Sequence, residues 1–198
     1  DGRSLLDLAW CRTMAGDETA ALSRLRIEIR EAGFDSWADI RSLHAASFRA
    51  FGAPPLDLSQ VQSFLCWIYS PDYTDALQAQ DLQAAWVEGH LVGTAGWLPA
   101  DDAGTSARIT AVYVAPMFGR LGLGRRLVEA AEARARAAGF RSFTARVLPS
   151  AMPFIEALGY ARSSQGTLAL GTKNGIPVTF VRKSDFGTEV GKSRNGRS

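Results

Sequence analysis

The sequence predicts a single α/β domain with a mixed, mostly antiparallel twisted sheet of about seven strands, in the order βααβββαβαββ, with helices on both faces. Three observations carry this prediction. Short segments with apolar residues at every second position, separated by turn residues, mark antiparallel meanders on either side of one long helix. That helix, Leu123 to Ala138, has the clearest 3.6-residue period in the chain. With 198 residues and 46% hydrophobic content the chain can bury one full-sized core, which leaves little for a second.

Taken in order, Leu25, Ile27 and Ile29 alternate with Arg24, Arg26, Glu28 and Arg30, so the first strand has one apolar and one charged face. "SWADIRSLHAASFRAF" switches to helical spacing through Trp37, Ile40, His44, Ser47 and Phe51. Ser36 and Asp39 are placed as a capping box, and Gly52 ends the helix before Pro54 and Pro55. A second helix runs through "LSQVQSFLCWIYS", where Val61, Leu65 and Ile68 share a face and Pro71 is read as its stop. "LQAAWVEGHLVGTAGWLP" splits at Glu88-Gly89 into a hairpin, and "ARITAVYV" extends the meander.

On the long helix Leu127, Ala131, Ala135 and Ala138 stripe one face, Glu132 is expected to pair with Arg136 on the other, and Gly139 supplies the stop. A strand "SFTARVL", a short helix "AMPFIEALGY" and a closing hairpin around Asn174-Gly175 complete the domain, which is expected to span residues 23–186. Residues 1–22 are read as an N-terminal extension holding at most a short helix, and 187–198 as a flexible basic tail.

Charge and cysteine usage exclude several classes. The formal net charge of +2, from 22 basic and 20 acidic side chains, is too balanced for a dedicated nucleic-acid binder. Arg134 and Arg136 lie among Glu129 and Glu132, the mixture of a solvated helix face. Cys11 and Cys66 have neither metal-type nor disulfide-framework spacing, and no apolar run approaches a membrane span. The expectation is a cytoplasmic protein without metal, monomeric or homodimeric, that binds neither membrane nor nucleic acid.

The stretch with most chemistry in it is Val114 to Val128, "VAPMFGRLGLGRRLV". A strand meets a proline, then glycines spaced G-x-x-G-x-G, then a helix. At such a junction backbone N–H groups converge unshielded by Cβ, and the first helical turn leaves orphan donors. The helix dipole adds roughly half a positive charge, and Arg120, Arg125 and Arg126 add full ones. A phosphate or pyrophosphate is the natural guest. The Walker loop is ruled down because no Lys follows Gly124, and the dinucleotide fingerprint because Leu127 stands where its third glycine belongs. By themselves these glycines fit a structural role as well as a functional one.

The strand "ARITAVYV", Pro116, the glycine junction, the helix and "SAMPFIEALGY", taken in this element order, resemble the GNAT superfamily of acyl-CoA-dependent N-acetyltransferases over roughly residues 24–184. The resemblance implies that the fourth strand is bulged and splays from the fifth, and that acetyl-CoA lies in the cleft. It implies that the backbone around Val112, Tyr113 and Val114 meets the acetyl carbonyl and pantetheine arm. It further implies that amides of Arg120, Leu121, Gly122, Leu123, Gly124 and Arg125 hold the pyrophosphate. The acceptor is then a small-molecule or peptide amine, attacked directly in a ternary complex.

The departures bear on chemistry. Gly119 stands where the family usually has Arg or Gln, and Leu121 replaces a common basic residue, so the turn is less basic than usual. An alkyl amine of pKa about 10.4 is neutral only about one part in two thousand at pH 7, a deficit of roughly 4 to 5 kcal/mol that a base must offset. The position of the family's glutamate holds Arg108, and that of its thiolate-protonating tyrosine holds Ile155. No catalytic residue is assigned. A thiol of pKa about 8.5 still leaves acceptably unaided, and water from the cleft can serve as base.

Among other candidates, Tyr160 and His44 read as core residues and Glu88 and His90 as exposed hairpin residues. Asp101 and Asp102 precede the fourth strand and can steer a cationic amine, though a solvated loop is the commoner reading, and Tyr113 can face either cleft or core. Trp37, Phe51, Trp67 and Tyr69 suit an apolar acceptor pocket, though aromatics at helical spacing are commonly core. The alternative to an enzyme is a GNAT-like module that binds acyl-CoA with little catalysis.

Overall fold

The structure is a computed structural model that describes residues 26–33, 36–101, 104–170 and 175–184. In chain order the elements are β1 (Ile27–Glu31), α1 (Trp37–Ser47) continuing into a π-helical turn (Phe48–Gly52), α2 (Leu58–Ile68) and α3 (Pro71–Gln78). There follow β2 (Asp81–Val87), β3 (His90–Pro99), β4 (Ser106–Val114), a short 3-10 turn (Pro116–Phe118) and α4 (Leu123–Ala137). β5 (Ser142–Val147), another 3-10 turn (Pro149–Ala151), α5 (Met152–Glu156), β6 (Ala161–Leu168) and β7 (Ile176–Ser184) close the domain. The sheet order is β1-β2-β3-β4-β5-β7-β6, and only β4 and β5 run parallel. The expected α/β fold with a mostly antiparallel seven-stranded sheet is therefore found.

One helix more than expected precedes β2. Pro71 does not simply stop α2; it opens α3 at the first helical position, where its missing N–H costs nothing, and the Ser70 hydroxyl accepts the Tyr73 amide at 3.3 Å. The capping box expected at Ser36 and Asp39 is absent, since Ser36 is near-helical (φ −102°, ψ −1°) and its side chain caps nothing. A complete box forms instead at α2, where Asp57 accepts the Gln60 amide and the Gln60 side chain accepts the Asp57 amide. The Glu88-Gly89 hairpin turn is as expected, with φ of 50° and 81°. Asn174, Leu25, Asp102, the N-terminal extension and the basic tail lie outside the described residues.

Two apolar clusters occupy the two faces of the sheet. α4 and α5 cover one through Leu123, Leu127, Val128, Ala131, Ala135, Met152 and Ile155, against Ile109, Phe143 and Val181. α1 to α3 cover part of the other through Ile40, Phe48, Phe64, Ile68 and Leu77. Full burial of each such large side chain contributes about 1.5–3 kcal/mol.

Two expectations for α4 are corrected. Ala138 is exposed, because α4 ends at Ala137 and Ala138 is its C-cap, followed by Gly139 at φ +100°. Glu132 is not on a solvent face: it is 1% exposed. Its carboxylate accepts from the Tyr160 hydroxyl (2.8 Å), from Lys183 Nζ (2.8 and 2.9 Å) and from Arg136 (2.9 Å). Spacing within one helix revealed the Arg136 partner, whereas β7 and the residue just before β6 supply the other two.

Candidate active site

β4 is paired to β5 from Ser106↔Ser142 to Ile109↔Ala145, and there the pairing ends. β4 itself continues through Val114 against β3, so the two parallel strands part and leave a cleft. The local cause is a bulge: between the pairs Gly96↔Thr110 and Thr94↔Tyr113, β4 carries one residue more than β3, and Ala111 sits at φ 50°. An extra residue reverses the side-chain alternation. Ala107 and Ile109 face α4; beyond the bulge Val112 and Val114 pack on that side, while Ala111 and Tyr113 join the cluster under α1 to α3.

The bulge is held by a chain of buried polar groups. The Thr94 hydroxyl donates to the Ala111 carbonyl at 2.7 Å. Its single hydrogen being spent, it accepts from His44 Nε2 at 2.7 Å, so His44 Nδ1 is the acceptor for the Tyr73 hydroxyl at 2.7 Å. The Tyr73 oxygen is left to receive the hydroxyl of Tyr113, whose ring stacks on His44 with centroids 4.0 Å apart. Every link has one direction. Burial forces His44 down to about 3, keeping it neutral, and pushes Tyr113 up to about 12. The core reading of His44 thus holds, and Tyr113 faces the core rather than the cleft. Thr94 and Tyr73 were not singled out in the sequence, because they come from β3 and α3 and nothing in their local spacing relates them to His44.

At the exit of β4 the backbone builds a concave turn. Arg120 (φ 63°) and Gly122 (φ 82°) are both left-handed, and Gly122 is the residue before the first turn of α4. No side chain caps that end, and the first backbone bond of the helix is from the Arg126 amide to the Gly122 carbonyl at 3.2 Å. The amides preceding Arg126 are therefore the orphan donors of a helix start, with the positive end of the dipole behind them. A Cβ at Gly122 would meet nothing within 4 Å, so this residue leaves its outer face bare. Gly124 differs: a Cβ there would come within 3.2 Å of the Phe154 ring and 3.6 Å of Val114 Cγ2. Its hydrogen lets Phe154, from α5, lie over the junction. Phe51 closes the other side, with its ring 2.7 Å from where a Cβ of Gly119 would be. The π-helical turn, marked by the bond from the Ala53 amide to the Phe48 carbonyl, takes Phe51 off the buried face of α1; it is 43% exposed.

The remaining predicted residues are distributed as follows. Leu123 is fully buried and Leu121 partly so, leaving only their backbone to the turn. The Arg125 guanidinium bonds the Ala157 carbonyl at 3.1 Å and lies 3.7 Å from Glu129, turned toward α5 rather than toward the concave turn. The Val114 amide donates to Ser47 Oγ at 3.3 Å, a tie from α1 that the sequence did not reveal. Ile155 is 4% exposed and packed in the core, while its neighbour Phe154 is the α5 residue at the cleft. Tyr160 is buried on Glu132, as a core residue. Of the aromatic set, Phe51 reaches the site, whereas Trp67 stacks edge-on with Phe64 and Tyr73. Asp101 closes its own loop, accepting from the Thr105 amide and hydroxyl at 2.9 and 2.8 Å. Arg134 is paired bidentately with Asp81. Among the described residues no group of acidic, histidine and cysteine side chains could hold a metal, and no helix is long and apolar enough to cross a membrane.

Comparison with known proteins agrees with this architecture. The model of the acetyltransferase (GNAT) family matches residues 37–160, which includes the bulged strand, the glycine turn and α5. No curated protein matches the sequence. Among solved structures, a GCN5-related N-acetyltransferase from Rhodopseudomonas palustris superposes with a TM-score of 0.70 at 21% identity, over 79% of this chain and 94% of that one. PaiA N-acetyltransferase from Thermoplasma acidophilum, in complex with coenzyme A, gives 0.61 at 14% identity over 80% and 98%. YncA from Salmonella typhimurium, with its cofactor acetyl-CoA, gives 0.56 at 18% over 85% and 99%. At these identities the structural likeness speaks for the fold alone, but the family model spans well over half of the chain, and the chain belongs to the GNAT acetyltransferase family.

Proposed function

We propose that this protein transfers an acetyl group from acetyl-CoA to the amine of a small molecule or peptide, by direct attack within a ternary complex. The observation that carries this reading is the left-handed pair Arg120 and Gly122 at the uncapped start of α4, beside a strand that has parted from its neighbour. Backbone amides from Arg120 to Arg125 suit a pyrophosphate, because successive N–H groups in such a turn form an anion-binding concavity. The splayed stretch from Val112 to Val114 suits an extended pantetheine arm, with Phe51 and Phe154 as apolar walls. Acetyl-CoA supplies the activated thioester; the chain's part is to hold it and receive the amine.

Neither Arg108 nor the buried Ile155 can remove or return a proton, and His44 is committed to two hydrogen bonds and stays neutral. The base in this reading is water at the cleft mouth, so the rate should rise with pH as more of the amine is neutral. The test is to incubate the protein with acetyl-CoA and a panel of amines, amino acids and peptides while following free thiol, with CoA binding measured separately by equilibrium dialysis. Thiol release that depends on the amine is expected. Proven CoA binding with no turnover for any acceptor would favour the second reading, an acyl-CoA-binding module, which the absence of a proton-transfer group at positions 108 and 155 supports.

A further inference from the structure

On the face opposite α4 and α5, the second half of the sheet lies beyond α1 to α3. The register sets a row across it: Arg108 on β4 opposes Thr144 on β5, and Thr144 opposes Arg182 on β7. In-register neighbours point to the same face, and strands lie about 4.8 Å apart, so the two arginines stand on either side of Thr144, about 10 Å apart at their backbones. Arg146, two residues on from Thr144, shares that face and opposes Phe180. It is also the first β5 residue past the last β4–β5 pair, so it stands at the apex of the cleft. The result is a pocket of about 390 Å³ whose lining includes Arg108, Arg146, Arg182, Thr144, Ser164 and Phe180.

Three guanidinium groups converge here, and among the described residues none of them has an ion pair. Arg108 makes one long contact, to the Ala100 carbonyl at 3.4 Å, and Arg146 lies over the Phe180 ring at 5.7 Å. Asp101 is at the rim, but its carboxylate is taken up by Thr105. Burial and then the nearby Arg146 depress the Arg108 guanidinium, the mark of like charges held together without a counter-ion. Guanidinium forks with hydroxyls between them are the usual means of holding a carboxylate or phosphate.

We infer that this pocket binds an anion, and that the acceptor amine carries a carboxylate or phosphate which Arg108, Arg146 and Arg182 hold while the amino group points to the apex of the cleft. The role of the amine rests on the acetyltransferase reading; the anion site rests on the pocket alone. On this basis Arg108, which stands where a base would be expected, is a binding residue for substrate.

Two measurements test this, and they fail separately. The first titrates inorganic phosphate and glutarate into the protein saturated with CoA, so that the glycine turn is filled, and follows arginine side-chain N–H resonances. Saturable shifts in the parent are expected, and an Arg146→Gln/Arg182→Gln double variant should lose them. No saturable binding below about 10 mM, where even a weak specific anion site would fill, or equal binding by the double variant, overturns the inference. The second compares γ-aminobutyrate with its amide, and phosphoethanolamine with ethanolamine, at equal concentrations of neutral amine. The acidic member of one pair is expected to be favoured about 10- to 100-fold in kcat/KM, the range of charge-assisted hydrogen bonds, with carboxylate against phosphate distinguished by the pair that responds. Arg182→Gln should remove that preference, and a preference that survives in the variant overturns the role of Arg182. Equal or better use of the neutral members overturns the inference about the acceptor. If CoA fails to bind, the acetyltransferase reading falls, and phosphate titration of the CoA-free protein still decides the anion site.

Discussion

Two buried polar clusters, one on each face of the sheet, solve the same problem differently. Under α4 the charged group Glu132 is surrounded by Lys183, Arg136 and Tyr160, and the two cations keep side-chain exposures of 24% and 35%. Under α1, His44, Tyr73, Tyr113 and Thr94 form a chain with no charge at all, in which His44 and Thr94 have zero exposure. A charged cluster can persist where its cations reach the rim and keep part of their hydration. At the centre no such escape exists, and burial then forces the titratable member to be neutral. The charged cluster ties α4 to β7; the neutral one determines the shape of the cleft strand.

The largest effect should come from the neutral chain. His44→Ala removes a buried ring, takes the acceptor from the Tyr73 hydroxyl and the donor from Thr94 Oγ, and is expected to cost about 3–5 kcal/mol in urea denaturation. Because the Ala111 bulge loses its support, CoA affinity should fall as well. The charged cluster should be more forgiving: Glu132→Ala removes one shared carboxylate from two partly exposed cations that can turn to water and from the Tyr160 hydroxyl, at about 2–3 kcal/mol by the same measurement. If Glu132→Ala proves the costlier of the two, the contrast drawn between rim and centre is wrong.

Acid separates the clusters by a further step. Folded His44 stays neutral down to about pH 3, whereas unfolded it charges below about 6.5. The unfolded state takes up the additional proton in that window, so stability is full above pH 7 and falls as pH drops through it. Between pH 7 and pH 5 this group alone should cost about 2 kcal/mol. His44→Gln, which also has one donor and one acceptor to offer, should lack that increment when the two melting curves are compared at both pH values. A parallel decline in both proteins would show that His44 is not its source.

The smallest effect on stability is expected where no side chain takes part. Gly122→Ala meets open space but must hold an alanine at φ +82°, costing about 1–2 kcal/mol. Its methyl would cover the bare face of the turn, so dialysis should register a loss of CoA affinity exceeding that change. Equal affinity in parent and variant would place the pyrophosphate elsewhere.

Much of this molecule is legible from local spacing, since each feature depends on a few neighbouring residues. The period of α4, the Glu88-Gly89 turn and the glycines before α4 are all of this kind, because a left-handed backbone or an amphipathic face declares itself within one turn of chain. His44 and Tyr160, core residues by their apolar surroundings in the sequence, are buried. Pro71 misled because a proline ends one helix and begins another with equal ease, and only the Ser70 cap tells the two apart. Glu132 misled because its helix neighbour Arg136 offered a sufficient partner, while Lys183 lies in a strand fifty-one positions away.

The sequence by itself determined the family, the glycine turn and the order of the elements apart from α3, since backbone conformation and amphipathic period are local properties. Tertiary structure alone decided which way Tyr113 faces, because one additional residue in β4 reverses the alternation and shows only against the register of β3. It also decided the alignment of Arg108, Thr144 and Arg182, which stand side by side only once β4, β5 and β7 have paired. Cross-strand rows are set by long-range hydrogen-bond register, and no local pattern encodes that.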